Sequence, residues 1–279
     1  MSFLPTISSL ILPLRRLLGQ TPAPTPTDRF IPTYKDVCHA RALLRSLSLP
    51  TELVLQILDN AQYWPTHEYS AQIPRELRAE TRHGRACVAN MCYVTAIFEN
   101  AVYEDIRRSG ERCRIKSVEF DIISRDQGWT SENTQGTFET SSWTEVSIMR
   151  DTIGEPNRPP PLRLHGVPTN RPESFHEGLV DQRRGWELVK RPESASIGPQ
   201  GGEGPFAWYL QGNCVAAGNR EYHISWTEDG YGGNAGSGTG EGFVRELKDG
   251  DRILVWARAK YQGWQCHVDY VKITVRYGF

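Results

Sequence analysis

The chain has 279 residues, enough for one large domain or two modest ones. Its 32 Lys and Arg stand against 33 Asp and Glu, a formal net charge of −1, so it lacks the basic excess with which a nucleic-acid binder collects phosphates. A hydrophobic share of 38% supports a core, and 10% aromatics with 8 Trp favour sheet-rich structure.

The first stretch, "MSFLPTISSLILPLRRLLGQ", carries its positive pair, Arg15 and Arg16, after the apolar run, the reverse of a secretory signal. Pro5, Pro13 and that pair interrupt it too often for a bilayer span, so no membrane partner is expected. "TPAPTPTDRFIPT" (21–33) follows as a Pro/Thr linker, and residues 1–33 read as a disordered tail. No acid precedes Asp28, which leaves a mitochondrial transit peptide open beside a cytoplasmic or nuclear address.

From Tyr34 the apolar spacing is helical, with Val37, Ala40, Leu43, Leu44 and Leu47 three and four apart. "LPTELVLQILDNAQYW" (49–64) predicts a second helix with Pro50 in its first turn. Leu49, Leu53, Ile57 and Leu58 form its apolar stripe, and Pro65 stops it. A third helix is predicted from about Arg85 to Arg108, ended by Gly110, making 34–112 a helical region.

Beyond Arg114 the period changes to two: Val118, Phe120 and Ile122 alternate with Glu119 and Asp121. "GTFETSSWTEVSIM", "FAWYLQGN", "REYHISWT", "DRILVWARA" and "VDYVKITVRYGF" are further strands, with "WELVKR" a weaker candidate. In the last full strand Val271, Ile273, Val275 and Tyr277 face one way, and Lys272, Thr274 and Arg276 the other. Strands without intervening helices predict an antiparallel β-sandwich or jelly roll over 113–279, with long loops at 154–183 and 229–242, the latter mobile. The expected class is α+β: a small N-terminal helical segment packed on a C-terminal antiparallel sandwich.

Catalytic signatures fail in turn. "GYGGNAG" is followed by "FVRELKDGDRILVW", which reads as strand, whereas a phosphate cradle must open a helix. No H-E-x-x-H, G-x-S-x-G or C-x-x-C occurs, and the adjacent pairs Cys38-His39 and Cys266-His267 ligate one metal poorly. The 6 Cys read as reduced, packed thiols, which fits an intracellular address. Asp121, Asp126, Glu139 and Glu145 lie where two could meet across strands, but spacing does not place them. No enzyme, cofactor or metal is expected.

Two turns repeat a word. "SRDQGWT" (124–130) and "AKYQGWQC" (259–266) each put Gln-Gly-Trp after a strand, and "RRGW" (183–186) repeats the Gly-Trp. The glycine supplies a turn conformation that a side chain obstructs. Trp129 and Trp264 then either close the core or form a ligand rim with Asp126, Gln127 and Gln262, gripping a protein side chain or a glycan. Trp143, Trp208, Trp226 and Trp256 lie inside strands and read as core.

"LPTELVLQILDNAQYWPTH" resembles the opening of F-box-like segments through Leu49, Pro50, Glu52, Leu53, Ile57 and Leu58. The words "SRDQGWTSENTQGTFETSSWTEV", "WYLQGN", "REYHISWTED" and "FVRELKDGDRILVWARAKYQGWQCHVDYVKITV" resemble those of a group of uncharacterised fungal proteins that pair such a segment with a β-rich module. The resemblance implies a substrate adaptor of an SCF-type ubiquitin ligase. Leu49, Pro50, Leu53, Ile57 and Leu58 would touch a Skp-type adaptor, and the β module would hold the client. A lectin-like protein with no ligase link is the alternative.

Overall fold

Thr33 starts the ordered helices with a reciprocal cap: its hydroxyl accepts the Asp36 N–H at 3.2 Å, and the Asp36 carboxylate accepts the Thr33 N–H at 2.9 Å. The structure is a computed structural model that describes residues 30–74, 78–80, 87–153, 164–201 and 204–279. The tail expected before residue 30 lies outside the described residues. Helix α1 (Tyr34–Ser46) and helix α2 (Thr51–Asn60) follow, with Pro50 as the N-cap of α2, one place ahead of its expected position. Val37, Val54 and Leu58 are buried together with Leu44, Leu49, Tyr63 and the C-terminal Phe279 packed against them. The predicted stripes therefore divide: Leu43, Leu47, Leu53 and Ile57 stay exposed. Polar contacts tie the pair to later residues, Arg41 to Glu111 at 2.7 Å and Lys116 to Asp59 at 2.8 Å.

The helix expected from about Arg85 to Arg108 is instead strand β3 (Cys87–Ala96) followed by α3 (Ala101–Arg108), so the helical reading of 34–112 fails in its middle. Strands β1 (Thr66–Gln72) and β2 (Arg78–Glu80) also fall there. The physical reason is burial on both faces. Val88 and Cys92 join one apolar cluster while Ala89, Met91 and Val94 meet another, and a continuous apolar run carries no period that separates helix from strand. Asn100 then caps α3 by accepting the Tyr103 N–H at 3.0 Å.

The remaining elements are β4 (Arg114–Arg125), β5 (Ser142–Asp151), α4 (Pro172–Asp181), β6 (Trp186–Leu188), β7 (Trp208–Gly212), β8 (Arg220–Thr227), β9 (Tyr231–Gly232), α5 (Phe243–Glu246), β10 (Arg252–Lys260) and β11 (Gln265–Gly278). Within the described residues they form two sheets in which every strand pair is antiparallel. The first runs β1-β11-β4-β8-β9, with β2 also on β11; the second runs β3-β10-β5-β6, with β7 also on β5. Val118, Phe120, Val271 and Ile273 of the first share one apolar cluster with Val146, Ile148, Ile253 and Val255 of the second. The four strand tryptophans, Trp143, Trp208, Trp226 and Trp256, are all buried.

Loop 154–183 contains helix α4, and its residues 154–163 lie outside the described residues. The loop 229–242, expected to be mobile, is held. Its carbonyls at Gly238 and Glu241 accept the indole N–H of Trp226 and of Trp208, each at 2.9 Å. A Cβ on Gly240 would overlap the Trp226 indole, so glycine here permits close packing. Nor does the loop run straight into a strand, because α5 intervenes as a single turn.

At one end of the sheets Asn213 is fully buried. Its carbonyl accepts the Ser124 hydroxyl of β4 at 2.6 Å, and its amide donates to the Ser142 hydroxyl of β5 at 2.7 Å and to Cys266 Sγ of β11 at 3.4 Å. One side chain thus joins the two sheets. Asn213→Ala takes the acceptor from the buried Ser124 hydroxyl and a donor from Ser142, and is expected to lower stability by about 1 to 3 kcal/mol, read as a shift of the urea midpoint. A loss under about 0.5 kcal/mol would show that the network holds nothing.

Candidate functional site

The two Gln-Gly-Trp turns meet. Both glycines take left-handed backbone, Gly128 at φ +85° and Gly263 at φ +88°, and the Trp129 ring lies 4.0 Å from where a Cβ on Gly263 would stand. Asp126 is fully buried: one carboxylate oxygen accepts the Gly128 N–H at 2.8 Å and the other the Ala216 N–H at 2.7 Å. Gln127 clamps the turns, donating to the Trp129 carbonyl at 2.7 Å and accepting the Gln265 N–H at 3.3 Å. Trp264 is half-buried against the core cluster.

Of the five residues expected on a ligand rim, Asp126, Gln127 and Trp264 thus build the turns. Trp129 is 61% exposed, and Gln262 is exposed with its sequence neighbour Tyr261 at 50%. What remains outward is an aromatic edge rather than a hydrogen-bonding socket. The third Gly-Trp does not join it, because Trp186 is buried in β6.

The five expected partner residues also separate. Leu58 is buried and Leu49 half-buried, whereas Pro50, Leu53 and Ile57 are exposed. The four carboxylates singled out from the strands share no partner. Glu145 is buried against Arg258 at 3.2 Å and accepts the Trp143 indole N–H at 2.7 Å, Asp126 holds its turn, and Glu139 is exposed. Asp121 contacts His223 at 2.7 Å and Lys272 at 3.0 Å. Burial works to raise the Asp121 carboxyl, and those two donors outweigh it, holding it below its ordinary value.

Asp121 also borders a cleft of about 470 Å³ on the first sheet, with Ile123, Glu221, His223, Tyr270 and Lys272 around it. Among these, sequence reasoning singled out Asp121 as a candidate acid and Lys272 only as outward-facing. The missed signal is in β11: Val268 and Val271 are both buried, a spacing of three that a strand of period two permits only through a bulge. Among the described residues no group of three or more His, Cys, Asp or Glu is placed to hold a metal ion. Likewise, no helix there is long and apolar enough to cross a membrane. All six cysteines are free thiols.

The two rim positions separate by unfolding. Asp126→Ala removes a fully buried carboxylate that holds the Gly128 and Ala216 N–H groups and is expected to cost about 1 to 3 kcal/mol in urea denaturation. Trp129→Ala is expected to stay within about 0.5 kcal/mol of wild type. Equal losses would mean that Trp129 is part of the core.

Set against known proteins, the chain matches no family model and no curated protein.

Proposed function

We propose that the chain is a non-catalytic recognition protein, an F-box-like substrate adaptor in which α1 and α2 dock a Skp-type adaptor of an SCF-type ubiquitin ligase. In this reading the two sheets pack face to face as a jelly-roll-like sandwich, carry the helical segment, and hold the client. The observation behind it is the exposure of Leu53 at 46% and Ile57 at 42%, with Leu43 and Leu47 of the neighbouring helix at 70% each. Leu58 and Val54, one helical face away, are buried, so the outward leucines and isoleucine are free to meet a partner. Contact falls to Pro50, Leu53 and Ile57, while Leu49 and Leu58 hold the helix in place. Free thiols support a cytoplasmic or nuclear address.

A pull-down of the full chain with a Skp-type adaptor tests this. Wild type is expected to bind, and Leu53→Asp with Ile57→Asp is expected to weaken binding about a hundredfold or more, as loss of two central apolar anchors does. A folded wild type that leaves the adaptor in solution retires the reading.

A second reading, glycan binding with no ligase link, is supported by Trp129, whose exposed indole is seated on the Gly263 turn beside Gln262. It expects the full chain to bind an immobilised glycan array and Trp129→Ala to lose that binding with its urea midpoint unchanged. Array binding that survives Trp129→Ala removes the rim from consideration.

A further inference from the structure

The outer face of the first sheet is built differently from a merely solvated face. Along β11 Cys266 and Val268 are buried, and so are Val271, Ile273, Val275 and Tyr277. The two runs are out of phase, and the bulge between Val268 and Tyr270 absorbs the extra residue. Bulges re-aim side chains, and this one turns Tyr270 to the outer face, directly across from Ile123 of β4. Ile123 itself breaks the polar phase Glu119, Asp121 of that face. An aromatic ring and an aliphatic side chain therefore lie side by side among charged neighbours.

Those neighbours surround the cleft from three strands. Asp121 of β4 stands across from Lys272 on one side and His223 on the other, and Ile123 stands across from Glu221. The Asp121 carboxylate takes the His223 Nδ1 at 2.7 Å, which leaves Nε2 of that exposed ring for a ligand. Lys272 reaches Asp121 at 3.0 Å and Glu68 at 3.6 Å, and it keeps further N–H donors. Glu221 is exposed and supplies acceptors only.

We propose that this cleft binds a neutral saccharide, with a ring face on Tyr270 and Ile123 and hydroxyls shared among Glu221, His223 and Lys272. A hydroxyl both donates and accepts, so a polyol satisfies carboxylate, imidazole and ammonium at once. An anion meets Asp121 and Glu221, and a wholly apolar ligand strands the polar groups. The volume of about 470 Å³ is that of a small-molecule site. The proposal rests on reading the β region as a recognition module. It concerns a site apart from Trp129 and from Leu53 and Ile57, none of which borders the cleft.

Saturation-transfer NMR of the full chain with glucose, galactose, mannose and N-acetylglucosamine, each added separately, is the test. At least one sugar is expected to give signal, to weaken about tenfold with Tyr270→Ala and with the exposed, fold-neutral change Glu221→Gln, and to persist with Trp129→Ala. No signal from folded wild type with any of the four overturns the proposal. Signal lost only with Trp129→Ala also overturns it and moves the sugar to the rim. The Skp-type pull-down reads Leu53 and Ile57, so its failure leaves this result standing.

Discussion

The carboxamide of Asn213 is the point at which the two sheets are made to agree. It faces a hydroxyl of β4 and a hydroxyl and thiol of β5 and β11, so its position needs one group that accepts and one that donates. Asn and Gln offer the acceptor and the donor on two separate atoms of one neutral side chain, and the shorter one fits between strands. Ser142 passes the chain of bonds on to the Gln265 carbonyl at 2.7 Å, directly beside the clamp made by Gln127. Three residues further, the Ala216 N–H closes the Asp126 turn. The rim is thus the outer surface of a buried polar network.

The same short segment controls the glycine-rich loop. Gln211 donates to Asn234 at 3.0 Å and accepts from Asn234 at 2.9 Å and from Ser237 at 2.8 Å. Below it Phe243 meets Trp208 edge-on at 5.2 Å and Trp226 at 5.1 Å. A loop rich in glycine is flexible only when nothing approaches it. Here its backbone supplies the partners that two buried indoles require, and the missing side chains let those indoles come close.

Strands of the first sheet were legible because they are buried mainly on one face, and the alternation Val271, Ile273, Val275, Tyr277 gave β11 directly. β5, β7 and β10 are buried on both faces and were legible instead from their β-branched and aromatic residues between turn signals. β3 was illegible because it packs apolar residues on both faces with no period of two, and its Ala and Met residues suit a helix as well as a strand. The helical stripes were legible in spacing but not in exposure. Whether Leu53 points to solvent depends on what Val54 and Leu58 find to cover them, here Val37 and Phe279 at the far end of the chain. The rim was legible in its glycines, whose left-handed backbone is local. The roles of Asp126 and Gln127 were not, because their partners, Ala216 and Gln265, lie about ninety and about one hundred and forty residues away.

The proposed reading as a recognition protein draws on how three acids are held. A general acid needs a carboxyl whose neutral form is stabilised and whose proton faces a substrate. At Asp121 the donors stabilise the charged form instead. Burial does push the Asp251 carboxyl above its ordinary value, yet Arg150 grips both its oxygens at 2.9 and 2.8 Å and the Lys248 N–H takes one of them at 2.8 Å. Glu145 is enclosed with Arg258 beneath a packed layer, where breaking the pair would strand a charge and no substrate can reach it. These three acids are therefore tied up in holding the fold. Under the proposed function, the exposed apolar helical face, the aromatic turn and the polar cleft over a Tyr–Ile pair are the surfaces that would hold a partner in place.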